Sequence, residues 1–338
     1  MLEPTLNKWT GQPYAQRLDP ALASLLEQQA RGIAKVDRYA LPFPESRRQL
    51  EEMRIRTHAN SVPMHQVVDE DLSANGRLIK LRWYYPSAEH AQCTPIVYLH
   101  GGGWCVGSNL THDTVLRHLA RAARVPVCGV EYSLAPEYPF PSALEDVRAV
   151  TDFLGRQRES LKESEGFILA GDSAGANLAL VEAMRRRDEG KASDLSALIL
   201  YYGCYGPHRD GGSFDAYGDG RFGLSNQVQA RYLEAYMPTS SRADWRVFPL
   251  EGELRGLPPT YILAAELDPL YDDSIDLYRA LKEGGVPALL AIANELPHGF
   301  LNQANDLPAA ASAIEQSVAG VNALVRQPEV QPPARISF

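Results

Sequence analysis

The sequence predicts an α/β fold, a mostly parallel central sheet with helices on both faces. Two observations predict it. Short, continuously apolar runs such as 95–99 (PIVYL), 167–170 (FILA) and 195–202 (LSALILYY) lack the alternation of a half-exposed strand. Strands buried on both faces read this way, and parallel sheets are buried on both faces. Amphipathic stretches of helical length separate these runs, and such alternation builds strand–helix–strand units. Composition agrees: with 45% hydrophobic and 22% charged residues the chain is globular rather than disordered or fibrous. A length of 338 residues suggests about two domains.

The elements follow in order. Residues 1–60 read as polar helices. Asp19-Pro20 pairs a good N-cap with a good first helical residue, and Leu22, Leu25, Leu26 and Ile33 follow at roughly helical spacing. After the break at Leu41-Pro-Phe-Pro44, a second helix starts near Glu45 and carries Leu50, Met53 and Ile55. Strands are expected at 78–85, 95–99 and 125–132, with a helix ending at 117–124. A helix at 141–156, a strand at 167–170, a helix at 174–187 and a strand at 195–202 come next. The stretch 203–223 then breaks the alternation with seven glycines. Ser225 caps a helix after it that carries Val228, Tyr232, Leu233 and Tyr236. So long an excursion between two strands reads as a lid or binding insertion. A strand at 259–265, a helix at 270–283, a strand at 288–293, a helix at 308–326 and an extended tail complete the chain.

Charge and composition exclude several functions. There are 33 basic against 42 acidic residues, a net charge of −9, the opposite of a phosphate-backbone binder. The four cysteines, Cys93, Cys105, Cys128 and Cys204, form no CxxC and no disulfide framework, which suits a reduced compartment. No basic segment leads into an apolar one near the start, and no apolar run reaches the roughly 18 residues of a membrane span. A cytoplasmic protein without membrane or nucleic-acid partners is expected. The eight histidines form no HExxH or paired ligand spacing, so no metal is expected. Asp215, Asp219 and Gly220 leave the positions of a calcium loop unfilled.

Gly171-Asp172-Ser173-Ala174-Gly175 carries the strongest chemical signal. It follows the strand FILA and opens a helix, the setting of a nucleophile elbow. The turn is strained, so small residues must flank the serine, and Gly171, Ala174, Gly175 and Ala176 are small. The alternative is a glycine turn kept for packing alone. His100-Gly101-Gly102-Gly103-Trp104 ends the strand PIVYL. Acyl transfer needs N–H donors for the tetrahedral oxyanion, and Gly102, Gly103 and Ala174 are the candidates. A phosphate cradle fits less well, because neither GxxxxGK[ST] nor GxGxxG is present. His100 reads as a structural hydrogen bonder for this loop.

A serine nucleophile needs a base, and the base needs an orienting acid. On this fold the acid and then the histidine follow the serine. Only His208 and His298 lie beyond Ser173. His298, just past the strand 288–293, is the better placed, whereas His208 lies in the glycine-rich insertion. Asp268, just past the strand 259–265, is the candidate acid, and Glu266, Asp272 and Asp273 compete with it.

These residues resemble a known family. HGGGW, GDSAG, Asp268-Pro-Leu and His298-Gly-Phe, in that order, resemble the hormone-sensitive-lipase-like branch of the α/β-hydrolases. So do Tyr132-Ser-Leu-Ala-Pro-Glu137 with Phe140-Pro141, and Gly107-Ser-Asn-Leu-Thr-His-Asp113. Tyr202-Gly-Cys-Tyr-Gly206 and 266–274 look like bacterial acetyl esterases. The resemblance covers roughly 60–326. It implies an α/β-hydrolase fold with a triad of Ser173, Asp268 and His298, no cofactor and a preference for short acyl chains. It also implies a cap formed by residues 1–60 and 203–245 over a core of 61–202 and 246–326, with 327–338 as tail. Trp104 is then a wall of the acyl pocket, with simple core packing as the alternative. Where the family often has arginine this chain has Ser133, and where it often has glycine it has Ala176. The expected activity is a serine carboxylesterase on small acyl esters, as a monomer or homodimer. The same machinery could instead cleave bulkier esters, carbamates or amides, and a non-catalytic ligand-binding member is the alternative from another class.

Overall fold

A computed structural model of the chain describes residues 11–30, 40–56, 61–89, 93–161, 166–208, 211–237, 244–326 and 334–336. Its strands are β1 (Gln66–Ala74), β2 (Arg77–Tyr85), β3 (Ile96–Leu99), β4 (Val127–Glu131), β5 (Phe167–Asp172), β6 (Leu195–Tyr201), β7 (Thr260–Leu267), β8 (Ala288–Pro297) and β9 (Ala334–Ile336). They form one sheet in the order β1-β2-β4-β3-β5-β6-β7-β8-β9. β1 and β2 pair antiparallel, as do β2 and β4, and every other neighbouring pair is parallel.

The helices are α1 (Pro20–Ala30), α2 (Phe43–Ile55), α3 (Asp113–Ala123), α4 (Ser142–Leu161), α5 (Ala174–Asp188), α6 (Gly212–Tyr217), α7 (Asn226–Tyr236), α8 (Tyr271–Glu283) and α9 (Pro308–Arg326). Successive strand residues face opposite ways, and the core divides accordingly. Val97 and Leu99 of β3, Leu198 and Leu200 of β6, and Ile262 and Ala264 of β7 pack with α4, α5 and α8. Ile96 and Tyr98, Ala197 and Ile199, and Tyr261 and Leu263 pack on the other face with α3 and α9. The continuous apolar runs are thus strands covered on both sides. Each fully buried Leu or Ile contributes about 1.5–3 kcal/mol.

Three differences from the sequence reading have physical causes. β1 is an additional strand. Its residues, QVVDEDLSA, are mostly exposed at the sheet edge, so it lacks the apolar run that marks the others. Its signal is the turn Asn75-Gly76, with φ of 54° and 74°, the left-handed pair of a tight hairpin. The tail is more than extended, since residues 334–336 pair with β8. The glycine-rich stretch also contains the short helix α6. In α1 the Asp19 carboxylate accepts the Leu22 N–H at 2.8 Å, as an N-cap does. Ser225 Oγ accepts the Val228 N–H at the start of α7. Ile33 lies outside the described residues.

The sheet also places the chemistry. HGGGW follows β3, Ser173 follows β5, Asp268 follows β7 and His298 follows β8. All four loops leave the carboxyl ends of parallel strands, where open α/β sheets build their sites.

Candidate active site

Ser173 links β5 to α5 with φ 53° and ψ −121°. A non-glycine residue held there costs of the order of 1–3 kcal/mol. Its neighbours allow the turn to be that sharp. A Cβ on Gly175 would lie 1.9 Å from the Leu99 carbonyl oxygen, and one on Gly171 2.5 Å from the Gly175 carbonyl carbon. The Ser173 N–H donates to the Tyr201 carbonyl at 2.9 Å, fixing the turn to β6.

The hydroxyl of Ser173 lies 2.9 Å from His298 Nε2. Across the ring, Nδ1 lies 2.7 Å from Asp268 Oδ2. The other oxygen of Asp268, Oδ1, accepts the Leu270 N–H at 2.9 Å, and the carboxylate is fully buried. Both oxygens are therefore engaged and their orientation is fixed. The Nδ1–H donates a hydrogen bond to Asp268, which leaves Nε2 as the acceptor facing Ser173. Burial disfavours charge on His298. The Asp268 carboxylate, its hydrogen bond and the more distant Asp172 outweigh that and raise the imidazole pKa above its ordinary value.

The competing acids are committed elsewhere. Glu266 accepts the Glu295 N–H at 2.8 Å. Asp272 accepts from the Tyr14 hydroxyl and the Ser213 N–H. Asp273 accepts the N–H groups of Tyr205 and Gly206, and burial pushes its pKa up to about 7. His208 lines the cavity beside the serine, whereas the contact with Ser173 Oγ is made by His298.

The glycine loop after β3 holds three successive residues at positive φ: Gly102 at 126°, Gly103 at 59° and Trp104 at 59°. Gly102 must be glycine, since a Cβ there would lie 2.0 Å from the Val106 carbonyl oxygen. Ala174 is the first residue of α5, so its N–H is one of the free amides of that helix end. Gly102, Gly103 and Ala174 line one cavity together with Ser173 and His298. His100 sits beneath the loop, with Nδ1 2.9 Å from the Gly101 carbonyl and its ring stacked on Tyr132. Burial, followed by the neighbouring His112, lowers its pKa to about 3, so it stays neutral.

Sequence reasoning passed over Asp172. Its buried carboxylate accepts the Gly101 N–H and the Tyr98 hydroxyl, each at 2.8 Å, and lies 3.3 Å from His112 Nε2. Burial alone would raise its pKa; His112 and these donors reverse that and hold it low. Asp172 thus ties the glycine loop to the serine turn. The available signal was a carboxylate closing an apolar strand next to the candidate nucleophile. Arg47 of α2 was also missed. It donates to the Cys105 and Ala135 carbonyls at 2.7 Å each and to both oxygens of Glu137, docking α2 beside the same loop. Of the two departures, the Ser133 N–H is held by Asp146, which also pairs with Arg77, and Ala176 is buried.

The cavity has a volume of about 580 Å³. Leu22 and Leu26 of α1, Leu50 and Met53 of α2, Phe214 of α6 and Leu233 of α7 supply apolar walls. Trp104 also lines it, buried and stacked on Tyr236 at 4.4 Å and 7°. Among the described residues no His, Cys, Asp and Glu side chains are grouped to hold a metal ion, and no helix is long and apolar enough to cross a membrane.

Fold and site together define the class: an α/β hydrolase with a serine at its strand–helix turn. Residues 96–302 match the family model described as the α/β hydrolase fold. The chain is 32% identical to carboxylesterase NlhH of Mycobacterium tuberculosis, over 79% of this chain and 86% of that protein. It is 33% identical to an acetyl esterase of Salmonella choleraesuis, over 74% and 78%. The hyperthermophilic esterase from the archaeon Pyrobaculum calidifontis superposes with a TM-score of 0.82 at 30% identity, covering 91% of this chain and 99% of that one. The chain therefore belongs to the α/β-hydrolase family, in its hormone-sensitive-lipase-like branch, and is a carboxylic ester hydrolase.

Proposed function

We propose that the protein hydrolyses short-chain acyl esters through an acyl-enzyme formed on Ser173, with His298 as general base and Asp268 as its orienting acid. The observation that carries this reading is the unbroken relay from Asp268 through His298 to the Ser173 hydroxyl. Ser173 Oγ attacks the ester carbonyl carbon while its proton passes to His298 Nε2. The former carbonyl oxygen takes the negative charge and receives the N–H groups of Gly102, Gly103 and Ala174. Collapse expels the alcohol, which takes the proton back from Nε2. Water then attacks the acyl-enzyme by the same steps in reverse roles. Asp268 fixes the imidazole tautomer and stabilises the imidazolium without taking the proton.

The four helices α1, α2, α6 and α7 form the cap in this reading, from residues 1–60 and 203–245. A cavity of about 580 Å³ lies within the range of drug-sized ligands. It supports a short acyl group joined to a larger alcohol, and Trp104 is a wall of the acyl side. The same volume favours bulkier esters as the second reading. The four cysteines are free, which supports the cytoplasm as the compartment, where the enzyme acts as a monomer or homodimer.

Ser173→Ala tests the assignment. Hydrolysis of p-nitrophenyl acetate is expected to vanish while the circular dichroism spectrum is kept, and near wild-type turnover would sink it. A series of p-nitrophenyl esters from C2 to C12 separates the two readings. A maximum of kcat/KM at the short end supports the first, and one at the long end the second.

A further inference from the structure

The glycine loop is held from two sides. From the core, Gly101 is bonded to Asp172, and the Trp104 carbonyl accepts the Ala135 N–H at 2.9 Å. From the other side comes α7. Tyr232 and Tyr236 are four residues apart and so lie on one helix face. A Cβ on Gly103 would lie 2.2 Å from Tyr232 Cδ2 and 2.4 Å from its Cγ. The ring therefore rests directly on that glycine. Tyr236 stacks on Trp104, the next residue. Both tyrosines are anchored by their backbones: Cys105 Sγ donates to the Tyr232 carbonyl at 3.6 Å, and the Phe140 N–H donates to the Tyr236 carbonyl at 2.8 Å. The buried Tyr236 hydroxyl has no hydrogen-bond partner among the described residues. Tyr236 meets Trp104 with its ring.

We propose that Tyr232, supported by Tyr236, is a positioning residue for the oxyanion hole. Trp104, next to Gly103, holds an unfavourable left-handed backbone conformation, and the two rings fill the space into which the loop would relax. The N–H of Gly103 then meets the oxyanion only when α7 is seated, so the cap sets turnover as well as covering the site. This rests on the oxyanion hole assigned above to Gly102, Gly103 and Ala174.

The test compares Tyr232→Ala, Tyr232→Leu and Tyr232→Phe. The readouts are kcat and KM for p-nitrophenyl acetate and the inhibition constant of a trifluoromethyl ketone, whose adduct with Ser173 places an oxyanion in the hole. Tyr232→Ala is expected to lower kcat by about tenfold or more, approaching the loss of one donor. Inhibitor affinity should fall by the same factor while KM changes by less than about threefold, the pattern of an interaction made in the transition state. Tyr232→Phe should restore both. If Tyr232→Ala does not fold, Tyr232→Leu, which removes the ring from Gly103 but keeps apolar bulk, carries the same direction of change with a smaller factor. Unchanged kcat and inhibitor affinity in the folded variant would overturn the proposal, as would a mere shift of preference toward longer acyl chains, the sign of a simple pocket wall. Absence of activity in the wild-type protein would instead overturn the esterase reading beneath it.

Discussion

Replacing Asp268 with asparagine should cost about 10³–10⁴ in kcat, because the structure leaves the amide one favourable way to sit. Asp268 is fully buried, and its two oxygens accept from Leu270 N–H and from His298 Nδ1–H. A carboxamide fills the same space but has one oxygen and one NH2. If its oxygen keeps Leu270, the NH2 faces Nδ1, which must then give up its proton. The proton moves to Nε2, 2.9 Å from Ser173 Oγ, and the ring can no longer accept the serine proton. The opposite orientation sets the NH2 against the buried Leu270 N–H, leaving that donor unsatisfied at about 1–3 kcal/mol. The unproductive tautomer therefore dominates. A loss of 10³–10⁴ corresponds to about 4–5.5 kcal/mol of transition-state stabilisation. The pH profile supplies a second readout. Asp268 is the largest influence raising the His298 pKa, against burial, so its removal lets burial lower that pKa. The acid limb of the residual activity should then move to lower pH. The assay is p-nitrophenyl acetate hydrolysis across pH, with active sites counted by a fluorophosphonate. Retention of more than about a tenth of wild-type kcat, at least about a hundredfold above the expected residue, contradicts the tautomer argument. So would a limb that moves up.

As the proposed base of the wild-type protein, His298 must lose its proton to act, and its pKa is raised. The acid limb of kcat/KM should therefore lie above the ordinary histidine value of about 6.5, and a limb below that value contradicts the ion pair. Gly175→Ala forces a Cβ to within 1.9 Å of the Leu99 carbonyl oxygen, backbone against backbone. It should destabilise the protein by about 2–3 kcal/mol in urea titration, and an unchanged midpoint would show that the turn can open.

What the sequence discloses depends on how local the signal is. Strands β3, β5, β6 and β7 were legible because burial on both faces writes an uninterrupted apolar run. β1 was not, because an exposed edge strand carries charges at positions a core strand fills with valine or leucine. Among the site residues, those within one motif or directly after a strand could be picked from type and placement. Asp268 could be preferred over Asp272 and Asp273 by its distance from the strand, although the chemistry of the three is the same. What separates them is long-range: Asp272 faces Tyr14 and Asp273 faces Tyr205 and Gly206, partners about 60 or more residues away in the chain. Arg47 carried no local signal and Tyr232 only its place on the helix after Ser225, since the loop each touches lies far from it in sequence.

That long-range layer is as necessary as the motifs. Gly102, Gly103 and Trp104 all stand at positive φ, and for Trp104, which has a Cβ, such a conformation costs of the order of 1–3 kcal/mol. A hydrogen bond to a buried charged group returns about 1.5–3 kcal/mol. The bond from Gly101 to Asp172 can thus offset one strained residue, but it acts three residues ahead of Trp104 and does not touch Gly103. Tyr232 and Tyr236 of α7 lie against Gly103 and Trp104, while the Ala135 N–H holds the Trp104 carbonyl from the core side. The conformation of the proposed oxyanion loop is therefore held by both the core and α7. On the proposal above, a change at Tyr232 or Tyr236 of α7 alters the height of the barrier through this loop.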